Sequence, residues 1–192
     1  MAKGRIGNTV VGFVVEFARI IILSLAIILP VRYFLVQPFY VKGASMEPNF
    51  YDHEYLIINE IGYRFHEPKR GEIVVFRYPK NPSQFFIKRV IGLPGETVVM
   101  TQGTVRVLTQ KQPNGVLLTE SYLGKDMTSY GEVRQRLKSD EYFVLGDNRP
   151  QSFDSEEFGP VNKKFIIGRV WVRGWPFGSF MIFHTPLYPE LD

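Results

Sequence analysis

The chain of 192 residues contains no cysteine. That absence excludes disulfides, thiol catalysis and cysteine-based zinc sites. Histidine is scarce as well: His53, His66 and His184 are the only three, and their spacing matches no metal-ligand pattern. A metal centre is therefore not expected, nor any other cofactor. A Ser-His-Asp triad also has little material to draw on, since the histidines lie in charged or strand-end settings. Charge of one sign is never concentrated. The formal net charge is +4, yet no block of five or six like charges occurs, and nucleic acid is not an expected partner. Internal repeats and a proline- or serine-rich linker are missing too. What the chain does have is apolar material, 45% of residues with 15% aromatic. That is enough for a substantial core, and the length suits one sizeable domain with an appendage.

The apolar residues concentrate first in "VVGFVVEFARIIILSLAIILPVRYFLV", Val10 to Val36. Its charge-free centre, Ile20 to Val31, is twelve residues long. Glu16 and Arg19 stand three apart, so they can pair on one helix face, and Arg19 and Arg32 sit where they can snorkel toward headgroups. A tilted helix over 13–36 spans a hydrocarbon layer of about 30 Å. The same run also fits the apolar region of a cleavable signal sequence or a buried soluble helix, although no small-X-small site follows it directly. The reading favoured is a retained single-span anchor behind a short cytoplasmic segment, 1–12. Lys3, Arg5 and Arg19 precede the centre and Arg32 and Lys42 follow it, which tips the N-terminus inward.

From residue 37 to 192 the texture becomes short β-type runs broken by Gly and Pro, such as "EYLIINEIGY", "GEIVVFRYP", "TVVMTQGTVRVL" and "EYFVLGDNR". Strands without intervening helices predict a mainly β, antiparallel sheet or barrel. Residues 109–140 are more polar and loop-rich, and "GEVRQRLKSD" reads as a short helix or a solvated loop. Tyr33, Phe34, Phe39, Tyr40, Phe50 and Tyr51 cluster beside the anchor, where aromatic rings suit either the membrane interface or the domain core.

Without thiol, metal or triad histidine, serine plus lysine is the economical pair for nucleophilic chemistry. Ser45, in "VKGASMEPNF", stands between small residues and a proline just past the anchor. In "QFFIKRVIGLPGE", Phe86, Lys88 and Val90 share one strand face. An ammonium among apolar neighbours loses hydration, and its pKa falls toward the roughly 7–8 that a general base needs. Arg89 lies on the opposite face, and either cation could instead snorkel. A third stretch, "GDNRPQSFDSEEFGP", carries strong turn chemistry. It is either a polar surface turn or a loop whose Ser152, Asp154 and Ser155 orient an active-site group.

Together these stretches resemble type I signal peptidases, the membrane-anchored Ser-Lys leader peptidases of serine peptidase family S26. "SMEP" is similar to the family's nucleophile box, "RGEIVVFRYP" to its Arg-Gly-Asp-Ile-Val-Val-Phe box and "IKRVIGLPGE" to its general-base box. "GDNRPQSFDS" is similar to its Gly-Asp-Asn-Arg-x-x-Ser-x-Asp-Ser box, and "GRVWVRGWP" to its final strands. The resemblance implies a signal-peptidase-type β domain on an extracytoplasmic face of the plasma membrane. It implies removal of signal peptides from secreted preproteins after a small-X-small site. Ser45 would be the nucleophile, Lys88 its general base, and Ser152 the residue orienting the lysine. Asp147, Arg149 and Asp154 would support the site. The Ser45 N–H and the Gly43 region would bind the oxyanion, and Phe39, Val41, Phe86 and Ile87 would line pockets for the −1 and −3 residues. The partners implied are preproteins and the bilayer.

Three positions depart from the pattern. Gly43 stands where some members carry a serine that completes the oxyanion hole. Lys42 replaces a usual proline, and Glu156 replaces an arginine that would pair with Asp154. The competing readings are an inactive membrane-tethered relative that binds signal peptides and a soluble self-cleaving Ser-Lys protease.

Overall fold

Ile73, Val74, Val75 and Phe76 are all buried, and that unalternating run decides the architecture. A strand with water on one face alternates apolar and polar residues, whereas one covered on both faces does not. The computed structural model describes residues 3–34, 36–124, 127 and 131–191, with side chains at 11–29 and from 37 onward among them. The chain falls into two compact units, Met1–Gln37 and Pro38–Asp192.

The first unit is helix α1, Lys3–Phe34. Its stretch Val11–Leu29 is 19 residues long and wholly exposed. At 1.5 Å per residue it extends about 28 Å, close to the hydrocarbon thickness of a bilayer. The core helix of a soluble domain is mostly buried, whereas every described side chain of this stretch is exposed. The expectations for Arg32, Tyr33 and Phe34, like those for Lys3 and Arg5, concern side chains outside the described residues.

The second unit is mainly β, and every strand pairing whose register is described is antiparallel. In chain order its strands are β1 (Val36–Tyr40), β2 (Tyr55–Asn59), β3 (Ile73–Tyr78), β4 (Asn81–Gly92), β5 (Thr97–Thr101) and β6 (Thr104–Leu108). They continue as β7 (Val116–Leu117), β8 (Val133–Arg136), β9 (Glu141–Leu145), β10 (Val161–Asn162), β11 (Ile166–Trp175) and β12 (Met181–Ile182), with the one-turn helix α2 at Ser155–Phe158. The larger sheet runs β1-β2-β11-β3-β4-β9-β10, with β12 also on β11, and the smaller runs β7-β6-β5-β8. The β5–β6 hairpin closes at Thr101↔Thr104. Its two loop residues, Gln102 and Gly103, have φ of 49° and 75°, the left-handed pair that matches strand twist.

Successive residues of the central strands feed different cores. Ile73 and Val75 pack with Met46, Phe50 and Leu56. Val74 and Phe76 pack with Val90, Tyr142 and Val144. Phe143 and Leu145 join Ile91 in a third cluster built on the smaller sheet. Phe50 is thus core, fully buried and stacked on Phe183, and not an interfacial ring. Tyr40 and Tyr51 remain exposed.

One expectation is overturned. "GEVRQRLKSD" is not a helix, and its centre is not loop: Val133–Arg136 is β8, paired with β5, with loop and turn on either side. Arg134 and Arg136 point outward, and Leu137 just beyond is buried. The charged residues that suggested a solvated segment occupy only the outer face of a strand.

Candidate active site

Lys88 lies on β4 opposite Val74 of β3, in the interior of the larger sheet. It is 4% exposed. Its Nζ is 2.7 Å from Ser45 Oγ and 5.6 Å from the centre of the Phe86 ring. Among the described residues no carboxylate forms an ion pair with it. Burial therefore dominates and pulls the ammonium pKa down to about 8, although the fields of Asp154 and Asp147 push the other way.

Arg89, the next residue, resolves which of the two cations is available for chemistry. It too is 4% exposed, but strand alternation turns it to the opposite face. There its Nε donates to Asp147 Oδ1 at 2.8 Å and an Nη donates to Oδ2 at 2.6 Å. A third bond reaches the Gly71 carbonyl at 2.9 Å, and the guanidinium lies 3.8 Å over the Tyr122 ring. Neither cation snorkels. Arg89 is neutralised in place, and Lys88 is left with a hydroxyl.

The segment 146–154 wraps the serine from the other side. Asp147 is fully buried and also accepts from Asn49 Nδ2 at 2.8 Å. Arg149 donates to the Gly146 carbonyl at 3.0 Å and pairs with Glu120. Asp154 caps α2, accepting from Glu156 N at 3.1 Å, and also takes the Gly146 N–H at 2.9 Å. The Glu156–Asp154 contact is thus a helix cap. Glu156 stands in the first turn, where backbone N–H groups favour negative charge.

Ser152 occupies the space that Gly146 leaves. A Cβ at Gly146 would overlap Ser152 Oγ and the Ser45 carbonyl. The expected hydrogen bond from Ser152 to Lys88 is not formed, and the Ser152 hydroxyl is buried without a partner among the described residues.

The oxyanion side has its own geometry. Gly43 has φ of 89°, a left-handed conformation that suits glycine. Its N–H donates to Asp52 Oδ1 at 3.0 Å, and Asp52 also pairs with His53 at 2.8 Å. In this arrangement the Gly43 hydrogen is taken. The carbonyls of Ala44 and Ser45 are both held by Asn148.

All four expected pocket residues, Phe39, Val41, Phe86 and Ile87, line one cleft of about 760 Å³ together with Ser45 and Lys88. Its wall is mostly apolar and is completed by Gln84, Phe85, Gln151 and Phe153, with Lys42 at the exposed side. Sequence reasoning did not single out Asn49, Asp52, Glu120 or Asn148, nor give Arg89 a structural partner. Each acts through a fold contact at least 9 residues away in sequence. The only local signal was the "GDN" turn itself.

A buried lysine hydrogen-bonded to a cleft-lining serine, on an antiparallel β scaffold, has the geometry of a serine hydrolase that works without histidine. Comparison with known proteins gives the family. Residues 14–175 match the family described as "Signal peptidase, peptidase S26", and the chain belongs to it. It is 39% identical over 167 residues to a probable signal peptidase I-2 of Synechocystis sp., covering 84% of this chain and 73% of that protein. It is 41% identical over 168 residues to a signal peptidase I of Leptolyngbya laminosa, covering 84% and 79%. With a signal peptidase IB of Staphylococcus aureus the identity is 33% over 178 residues, covering 87% and 92%. A crystal structure of a signal peptidase I from Enterococcus faecalis V583 shares 34% identity at a TM-score of 0.45, covering 54% of this chain and 97% of that one. The protein is a serine endopeptidase of the signal peptidase I type.

Proposed function

We propose that Ser45 and Lys88 are the catalytic dyad and that the substrates are secreted preproteins, cut after a small-X-small sequence. The observation that carries this reading is the 2.7 Å contact between Ser45 Oγ and a buried lysine that has no ion-pair partner among the described residues. With a pKa of about 8, about one lysine in ten is neutral at pH 7, against about one in three thousand at the ordinary value. Neutral Nζ accepts the hydroxyl proton along the line of that hydrogen bond as Oγ attacks the scissile carbonyl. The oxyanion is met by preorganised donors, the Ser45 N–H first among them. As the tetrahedral species collapses, Lys88 returns the proton to the leaving amine. Water then loses a proton to Lys88 and attacks the ester, and as the acid product leaves Lys88 returns that proton to Ser45 Oγ.

Ser152, whose buried hydroxyl has no partner among the described residues, fits the role of accepting from Lys88 once the proton has moved. Asp147, Arg149 and Asp154 hold the loop that carries it. Phe39, Val41, Phe86 and Ile87 form a wall that accepts small side chains. The helix anchors the enzyme in the membrane, with 1–12 cytoplasmic, 13–36 in the bilayer and 37–192 on the extracytoplasmic face of the plasma membrane. The family match begins at residue 14, inside α1, which supports a retained anchor over a removed leader.

The test is cleavage of a preprotein by Ser45→Ala and Lys88→Ala variants in detergent. Each is expected to lose activity by at least about 10³-fold, with an unchanged circular dichroism spectrum. Near-native turnover by either one refutes the dyad.

A further inference from the structure

Of the two carbonyls on either side of the Ser45 backbone N, neither is free. Asn148 Nδ2 donates to the Ala44 carbonyl at 3.0 Å, beside a local bond from Glu47 N at 3.1 Å, and the Asn148 backbone N–H donates to the Ser45 carbonyl at 3.0 Å. One residue, 103 positions from Ser45 in sequence, therefore holds both peptide groups that meet at the nucleophile. We infer that Asn148 is the positioning residue that aims the Ser45 N–H into the cleft as the oxyanion donor.

The reason is the geometry of a peptide. The Ala44–Ser45 amide is a rigid plane in which a trans C=O and N–H point in opposite directions. Fixing the oxygen on one side fixes the hydrogen on the other. Ala44 and Ser45 both line the cleft, and Asn148 is 5% exposed and lies behind them. A carbonyl that accepts a hydrogen bond also polarises its own amide and makes the N–H a better donor.

Asn148 is itself well fixed. Its neighbours Asp147 and Arg149 are locked by Arg89 and Glu120, and its carbonyl accepts from Gln151 N at 3.0 Å. The need for such a device follows from Gly43, whose N–H is given to Asp52 and which has no hydroxyl to offer. With the Gly43 N–H taken, oxyanion stabilisation depends chiefly on the Ser45 N–H, so the aim of that bond bears directly on kcat.

This inference rests on the Ser45–Lys88 reading, and the test separates the two. The full chain in detergent is assayed as Asn148→Ala, Asn148→Asp and Ser45→Ala. The probes are a signal-peptide substrate, a peptide aldehyde that forms a tetrahedral adduct with an active serine, and the matching peptide amide. For Asn148→Ala, kcat is expected to fall by about 10- to 100-fold, less than the loss on deleting a donor outright. KM and amide affinity should stay within about threefold, and aldehyde affinity should fall in parallel with kcat/KM. Asn148→Asp keeps the size but cannot donate, and it sets an anion against the Ala44 carbonyl, so its loss should be at least as large. The inference is overturned if both Asn148 variants keep kcat within about twofold. It is also overturned if aldehyde and amide affinities fall equally, the pattern of a merely structural residue. If Ser45→Ala cleaves at the native rate, the serine reading fails, and this one with it.

Discussion

A lysine ammonium loses most of its hydration when a strand carries it below the surface, and Lys88 is in that position. Its pKa is about 8 in the fold against 10.5 ordinarily. Between those values the unfolded chain binds the extra proton and the native chain does not, so this group makes stability rise with pH. Below about pH 8 the penalty is fully present, about 3 kcal/mol for a shift of that size, and it vanishes as pH rises through 10.5. Lys88→Met should therefore be more stable than the native chain at pH 7, by up to about 3 kcal/mol in urea unfolding. The gap should close by pH 10.5; a gap independent of pH would contradict a charged buried lysine. Activity has the same origin with a different readout. Only neutral lysine takes the proton, so kcat/KM should fall about tenfold per unit below pH 8 and level off above it. A flat profile between pH 6 and 8 would exclude Lys88 as the base. Lys88 was legible in the sequence because its neighbours are apolar. Asn148 was not, because an asparagine after Gly-Asp reads as turn chemistry whatever its side chain grips.

At the scale of elements, β4 and the turn after β9 are what bring the site together. β4 presents Lys88 to one face and Arg89 to the other, so a single strand supplies both the proposed base and the lock on the loop. Asp147→Ala leaves the Arg89 guanidinium buried and unpaired, and breaking such a pair from one side costs about 3–5 kcal/mol. Denaturant unfolding should register that loss; a change below about 1 kcal/mol would mean the network is not structural. Gly146→Ala is the sharper probe, since its methyl group has no room beside Ser152 and the Ser45 carbonyl. It should lose most activity with a modest fall in thermal midpoint, and full activity would show that the Ser45 loop has slack. The same scale explains what was misread. In β8 the alternation covers only four residues, Val133–Arg136, with arginines on its outer face, and nothing in so short a run separates a strand from a charged turn. Pairing with β5 decided it.

At the scale of the whole molecule, the anchor and the β domain make separable contributions. A chain lacking residues 1–37 should keep its β circular dichroism and cleave a short soluble peptide. It should process membrane-inserted preprotein far more slowly, because the anchor raises local enzyme concentration without adding a contact. Equal rates on both substrates would leave the helix without a kinetic role. Orientation can be read cleanly because the chain has no cysteine of its own. A cysteine at exposed Lys111 should react in intact cells with an impermeant maleimide, whereas protection until lysis would invert the proposed topology. The sequence by itself determined the helix and the antiparallel β class and set Lys88 among apolar neighbours, while the pairing of Ser45 with Lys88 came from the resemblance of its motifs to the family's boxes. The first three follow from local quantities: length of apolar run, strand-scale texture, and the company a charged residue keeps. Only the tertiary structure decided that Arg89 is neutralised by Asp147, that Gly43 gives its N–H to Asp52, and that Asn148 bonds the carbonyls of both Ala44 and Ser45. Those are contacts between distant segments, and their partners are chosen by sheet register and burial, which no local window contains.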